Sequence, residues 1–169
     1  VVSYTPLGNN QFKTKVQFTS DASTARARSV ILGDMNNDGK PDMIVSNSNN
    51  TVSVFLNQMT STTSAASFGP AITFGSANGS VSSSLAIGDL DGDGWLDIAV
   101  VNSGISTVTM YRNITGTPGA NLSFSAPTSS ATAATPVAVR MADLDGDGQL
   151  DLITVSRLAS NNISVLRNL

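Results

Sequence analysis

The 169-residue sequence has no cysteine, no histidine and no glutamate. The lack of cysteine excludes disulfides, thiolate metal sites and Cys nucleophiles. The three absences together remove the usual nucleophile–base pairs of covalent catalysis. Aromatic residues make up only 5% of the chain, which is thin for a surface built on stacking. Charged residues are 12% against 40% apolar, unlike the balance of a disordered acidic chain. No apolar run reaches the roughly 18 residues that a membrane-crossing helix needs. No dense run of basic residues offers a nucleic-acid surface. The sequence starts without Met and shows no secretory leader, so it reads as a processed product or an excised piece. Its length suits one domain with a sizeable core.

What the chain does have is aspartate. All 12 acidic residues are Asp, and 11 of them fall in three stretches: "GDMNNDGKPDMIV" (33–45), "GDLDGDGWLDIAV" (88–100) and "ADLDGDGQLDLIT" (142–154). The net charge of -3 therefore hides a basic remainder, with Asp21 the one acid outside the stretches. One divalent cation per stretch would turn the balance to -3 + 6 = +3.

The stretches recur with a fixed period. Asp34, Asp89 and Asp143 lie 55 and 54 residues apart; Phe12, Phe68 and Phe124 lie 56 apart; Asn57, Asn113 and Asn168 lie 56 and 55 apart. Three markers with one period announce a repeat architecture. Each unit reads as four short strands. An apolar run precedes the acidic stretch ("SVILGD", "SLAIGD", "VAVRMAD") and another follows it ("DMIVSN", "DIAVVN", "DLITVS"), both of the kind buried on two faces. An alternating strand comes third ("TVSVFLN", "STVTMYRN", "NISVLRN") and a more polar, proline-bearing outer strand fourth ("QFKTKVQF", "SFGPAITF", "LSFSAPTS"). No helix of three turns is expected. Four strands per unit of about 50 residues, polar outward, describe a blade of a β-propeller.

The expected fold is thus all-β: one three-repeat propeller unit over 1–169, with repeats near 12–67, 68–123 and 124–169. The chain opens with "VVSYTP", like a third strand, and then a fourth strand; it closes on a third strand. This offset predicts that the N-terminal strands complete the last blade or a partner's. Propellers typically have four to eight blades. Three predict a homo-oligomer, with a dimer forming a six-bladed ring preferred.

Each acidic stretch follows the pattern D-x-[DN]-x-D-G-x-x-D. Alternate side chains at positions 1, 3 and 5 of a curling loop converge on one point, the position-6 glycine allows the sharp turn, the position-7 carbonyl can face inward and position 9 closes the cage. The candidate ligands are Asp34, Asn36, Asp38, Lys40 and Asp42; Asp89, Asp91, Asp93, Trp95 and Asp97; Asp143, Asp145, Asp147, Gln149 and Asp151. Hard oxygens alone select Ca²⁺ over zinc or copper, and Mg²⁺ rarely accepts an all-protein cage. Crowded carboxylates repel one another unless a cation holds them. Three Ca²⁺ per chain are expected, the weakest in the first loop, where Asn36 lowers the ligand charge. An EF-hand would need an acid at position 12, where Val45, Val100 and Thr154 stand inside predicted strands. The loops are therefore expected to join the first and second strands of each blade as hairpins.

With "FGPAITF" ahead of "LAIGDLDGDGWLDIAVVN", the unit resembles an FG-GAP/VCBS repeat of integrin-type β-propellers, and Phe68-Gly69-Pro70 matches that signature best. The resemblance implies an extracellular or cell-surface location. It implies Ca²⁺ on the lower rim, stapling each hairpin, and ligands bound on the opposite face or between blades.

A non-enzymatic binding or adhesion module for a glycan or a protein is the expected function. The alternative is a purely architectural repeat of a larger surface protein. A glycosidase-like acid pair would have to come from Asp, and every Asp but Asp21 belongs to a loop with a better explanation. Trp95 is the best candidate for an exposed platform, although covering the neighbouring blade suits it better. Arg112 and Arg167, at equivalent strand ends, could line a groove but read better as solvated, and Tyr111 reads as packed between blades.

Overall fold

The computed structural model describes residues 15–20, 25–60, 66–75, 81–157 and 162–169. Among the described residues all regular structure is β. Strands β1 (Ala27–Gly33), β2 (Asp42–Asn47), β3 (Thr51–Phe55) and β4 (Ile72–Gly75) form one antiparallel sheet in the order β1-β2-β3-β4. Strands β5 (Ser82–Gly88), β6 (Asp97–Asn102), β7 (Thr107–Tyr111) and β8 (Thr128–Ala131) form the second in the same order. Strands β9 (Pro136–Ala142), β10 (Asp151–Ser156) and β11 (Ile163–Leu166) form a three-stranded third sheet. These are blades of the β-propeller type that the strand pattern predicts.

The register repeats from blade to blade. Gly33 pairs with Asp42, Gly88 with Asp97 and Ala142 with Asp151, so each acidic loop closes a hairpin between the first two strands. Isolated bridges join Asn57 to Phe68 and Asn113 to Phe124 ahead of β4 and β8. Each outer strand therefore belongs to the sheet of the three strands before it, and the sheets at 27–75, 82–131 and 136–166 are offset from the sequence repeats 12–67, 68–123 and 124–169. Of the two N-terminal strands expected from sequence, "VVSYTP" lies outside the described residues, as does 11–14 of "QFKTKVQF"; residues 15–18 are not in strand conformation.

Two cores lie between the blades. The first joins Met35, Ile44, Val52 and Val54 of the first blade to Leu85, Ile98, Val100 and Tyr111 of the second. The second joins Ala86, Ala99, Val101 and Val108 to Val139 and Leu152 of the third. β-branched side chains dominate because they pack well on a pleated surface covered on both sides. The middle blade is accordingly buried along β5 and β6. Of the inner strands of the first blade, expected to be buried on both faces, β2 is largely buried but β1 is not: Val30 and Leu32 are exposed, because each end blade has a neighbour on one side only among the described residues. Tyr111 packs between blades as expected, edge-on to Phe74 with its hydroxyl donating to the Gly75 carbonyl.

The blades approach closely at two glycines. A Cβ on Gly33 would sit 2.3 Å from Ile87 Cδ1, and one on Gly88 would sit 2.6 Å from Leu150 Cδ1. Both fall well inside van der Waals contact, so the hairpin of one blade reaches the next only because these positions lack a side chain.

Candidate metal centres

Each loop is wound around its first aspartate. Asp34 accepts the N–H groups of Asp38 and Gly39 at 3.0 and 2.7 Å. Asp89 accepts those of Gly92, Asp93 and Gly94 at 2.8–3.1 Å. Asp143 accepts those of Gly146 and Gly148 at 2.7 and 3.0 Å. The position-6 glycines Gly39, Gly94 and Gly148 have φ of 84°, 87° and 88°, a left-handed conformation costly for other residues. Position 5 then accepts the N–H of position 7: Asp38 from Lys40, Asp93 from Trp95 and Asp147 from Gln149. The curl brings the ligand atoms of Asp89, Asp91 and Asp97 within 4.8 Å of one another, and likewise those of Asp143, Asp145 and Asp147. In the first loop Asn36 takes the third position, buried, accepting the Asp38 N–H at 3.3 Å.

The ninth-position aspartate does more than the sequence foretold. Asp42, Asp97 and Asp151 are buried. One oxygen of each accepts the N–H of loop position 2, from Met35, Leu90 or Leu144, at 2.9–3.1 Å. The other accepts the N–H of Asn57, Asn113 or Asn168 at 2.7–2.9 Å. Each carboxylate thus ties its loop to the end of the third strand. Burial pushes the carboxyls of Asp42 and Asp97 above the usual value of 3.8; the two backbone N–H bonds oppose the rise and the neighbouring aspartates add to it.

The three asparagines are the residues whose role the sequence left unread, although their period was plain. Asn113 donates its amide to Leu96 O of its own blade at 3.2 Å and to Met35 O of the preceding loop at 2.8 Å. Asn168 reaches Leu90 O of the preceding loop at 2.6 Å. The first two loops are in this way gripped by the following blade, and Asn37 adds a 3.2 Å bond to Gly94 O of the next loop.

One reading of individual residues changes. Arg112 and Arg167 are not merely solvated strand ends: Arg112 pairs with Asp91 and, at 3.3 Å, with Asp93, while Arg167 pairs with Asp145. Trp95 is half-buried, which agrees with the preferred reading over an exposed platform. Between the second and third blades lies an open cleft of about 330 Å³, lined by Leu90, Met110, Leu152 and Leu166 with Arg112 and Arg167 beside it. In the corresponding space between the first two blades Phe74, Tyr111 and Phe124 pack ring against ring. Ser130 and Leu166 replace the first two of these at the same repeat positions, and the smaller side chains leave the cleft.

The donor chemistry fits a hard cation. Every side-chain ligand is oxygen, and a carboxylate with about four lone-pair sites can accept two N–H bonds and still bind a metal. Lys40, Trp95 and Gln149 follow the glycine turn, and their backbone carbonyls are the further oxygen donors that a bound cation would call on. A family model, the FG-GAP-like repeat, matches the chain twice, over residues 34–100 and 89–154. No curated protein matches it.

Proposed function

Because the chain belongs to the FG-GAP-like repeat family, we propose that it is a calcium-stabilised, non-enzymatic binding module built on β-propeller blades. The observation that carries this reading is the threefold recurrence of one all-oxygen donor set on hairpins of the same register. A general acid or base site would not recur three times at blade spacing. Cation binding would relieve the repulsion among carboxylates that the fold crowds together. Its role would be structural, since each loop is bonded to its own third strand and the first two are bonded to the following blade as well.

The ligand of such a module is a glycan or a protein, and its setting is extracellular. The cleft between the second and third blades is the place assigned to it, having apolar walls and two guanidinium groups. A second reading, an architectural unit without a ligand, is favoured by the exposed apolar faces of the end blades. A homo-oligomer, two copies making six blades, belongs to either reading.

Thermal unfolding in Ca²⁺ and in EDTA tests the calcium reading. At a hundredfold excess over Kd, each site that binds only the native state adds about 2.7 kcal/mol. A large fall of Tm in EDTA is expected, and an unchanged Tm rejects structural calcium. Glycan-array binding, abolished by Met110→Glu in the cleft with the fold intact, separates the module from the architectural unit. A metal-dependent hydrolase activity lost in Asp97→Ala would overturn the non-enzymatic assignment.

A further inference from the structure

The two contacts between neighbouring blades are built alike. The inner strand of one blade packs on the two inner strands of the blade before it: β5 on β1 and β2, β9 on β5 and β6. Equivalent positions show what each contact covers. Val52 and Val108 are 0% exposed, covered by the second and third blades, whereas Ile163 at the same position of the third blade is 68% exposed. Met35 at loop position 2 is buried and Leu90 packs in the second core, but Leu144 is exposed. At the opposite end, Leu85 and Val139 are 2% and 0% exposed, and their counterpart Val30 is 61% exposed beside an exposed Leu32. The two end faces are the two halves of one interface, found twice already inside the chain.

Two further series point to the occupant. The amide of Asn113 reaches back to Met35 O and that of Asn168 to Leu90 O. Continuing the series would bring Asn57, at one end, to the carbonyl of Leu144, at the other. Asn57 donates one amide N–H to Pro41 O at 2.8 Å and carries a second. Next, Phe74 of the outer strand β4 meets Tyr111 and Phe124 of the second blade, with ring centroids 5.0 and 4.7 Å away. Phe18 meets Phe55 and Phe68, the residues equivalent to Tyr111 and Phe124, at 6.1 and 5.3 Å. Residues 15–20 therefore lie against the first blade as the outer strand of a preceding blade would. Among the described residues, the third blade is the one without an outer strand.

We propose that the occupant of each end face is a second copy of this chain. The first blade of one copy seats on the third blade of the other, and its 15–20 segment runs beside β11 as the missing outer strand. Two such contacts, related by a twofold axis, close a six-bladed ring. The close approach at the hairpin base fits this pairing. Glycine stands at 33 and 88, opposite Leu96 and Leu150; the third position holds Ala142, and the residue it would face, at the position of those leucines, is the smaller Pro41. Arg140, where Ile31 and Ala86 stand, donates to the Val139 carbonyl of its own strand at 2.7 Å and can lay its stem along the apolar face. The inference deepens the homo-oligomeric part of the function above and is independent of calcium.

The absence of cysteine makes the test direct. A Cβ built on Gly88 lies 3.8 Å from Met141 Cβ, the spacing of a disulfide. The equivalent pair across the proposed contact is Ala142 and Leu32 of two different copies. The double variant Leu32→Cys/Ala142→Cys is expected to form disulfide-linked dimers on mild oxidation, neither single variant giving the doubly linked ring. In parallel, native mass of the unmodified chain at micromolar concentration is expected to show a dimer, weakened roughly tenfold or more by Ile163→Asp, which buries an unpaired charge. A dimer that ignores Ile163→Asp and yields no cross-link overturns the interface and leaves the oligomer. A monomer at every concentration overturns both. Linked trimers and longer ladders overturn the closed ring.

Discussion

Arg112 and Arg167 stand where the first repeat has Leu56. The loops they serve carry four aspartates, and the loop beside Leu56 carries three and Asn36. The side-chain ligands and strand-end residue thus sum to -3 in the second and third sets, four minus one, whereas the first, with three aspartates and Lys40 paired with Asp38 at 3.4 Å, sums to -2. An arginine on the outer oxygens of Asp91 repels an incoming cation while it steadies the empty loop. Arg112→Leu is therefore expected to tighten calcium at the second loop by about 3- to 10-fold, the size of a solvent-screened interaction between partly exposed charges, and Leu56→Arg to weaken it at the first. Calorimetric titration of single-loop variants measures both, and it also ranks the first site, whose deficit from Asn36 these arginines narrow. Asp97 poses a different case. Asp97→Ala deprives the N–H groups of Leu90 and Asn113 of their acceptor inside the protein and should cost about 2–5 kcal/mol even in EDTA, read by denaturant unfolding. The pH dependence follows from the raised carboxyls of Asp42 and Asp97. A carboxyl whose pKa is higher folded than unfolded stabilises the fold while protonated, and this contribution is lost as pH climbs from near 3.8 through the raised value. Metal-free protein should lose that increment on such a climb, and protein in calcium should not.

At the scale of the element, the hairpin with its loop is the unit that repeats. Strand, loop and strand were legible because their signals are local: apolar β-branched runs, a glycine at the turn and carboxylates at alternate positions. The register followed, since Gly33, Gly88 and Ala142 each pair with the last aspartate of the loop. The outer strands were less legible. β4 and β8 are four residues each, begin beyond the Phe68 and Phe124 bridges, and carry mixed polar sequence whose pairing is set by the strand beside them. The glycine at the hairpin base was unreadable, because its reason lies in the next blade. Gly88→Ala would press a methyl group into Leu150 and Met141. It should destabilise by about 1–3 kcal/mol, the usual cost of overpacking, and Leu150→Ala in the same chain should recover part of the loss. Chemical denaturation of the single and double variants measures it.

Across the whole molecule, the blades differ by position more than by sequence. The same valine or isoleucine is core in the first two blades and surface in the third. The polar grip repeats likewise, from Asn113 to the first loop and from Asn168 to the second. This order predicts cooperative coupling between neighbours: Asn113→Ala should weaken calcium at the first loop as well as the second, because Met35 O belongs to that loop. Titration of the first site in Asn113→Ala, against an unchanged first site in Asn168→Ala, reads the coupling.

The sequence by itself determined the blade count, the hairpin loops and the fifteen candidate ligand positions, since these rest on spacing along one chain. Only the tertiary structure decided that Asp42, Asp97 and Asp151 brace the third strand, that the asparagines grip the preceding loop, and that Arg112 and Arg167 answer loop charge. Those contacts join residues from 15 to 78 positions apart. Distances that long are set by how blades stack, and stacking is set by which apolar faces find a cover.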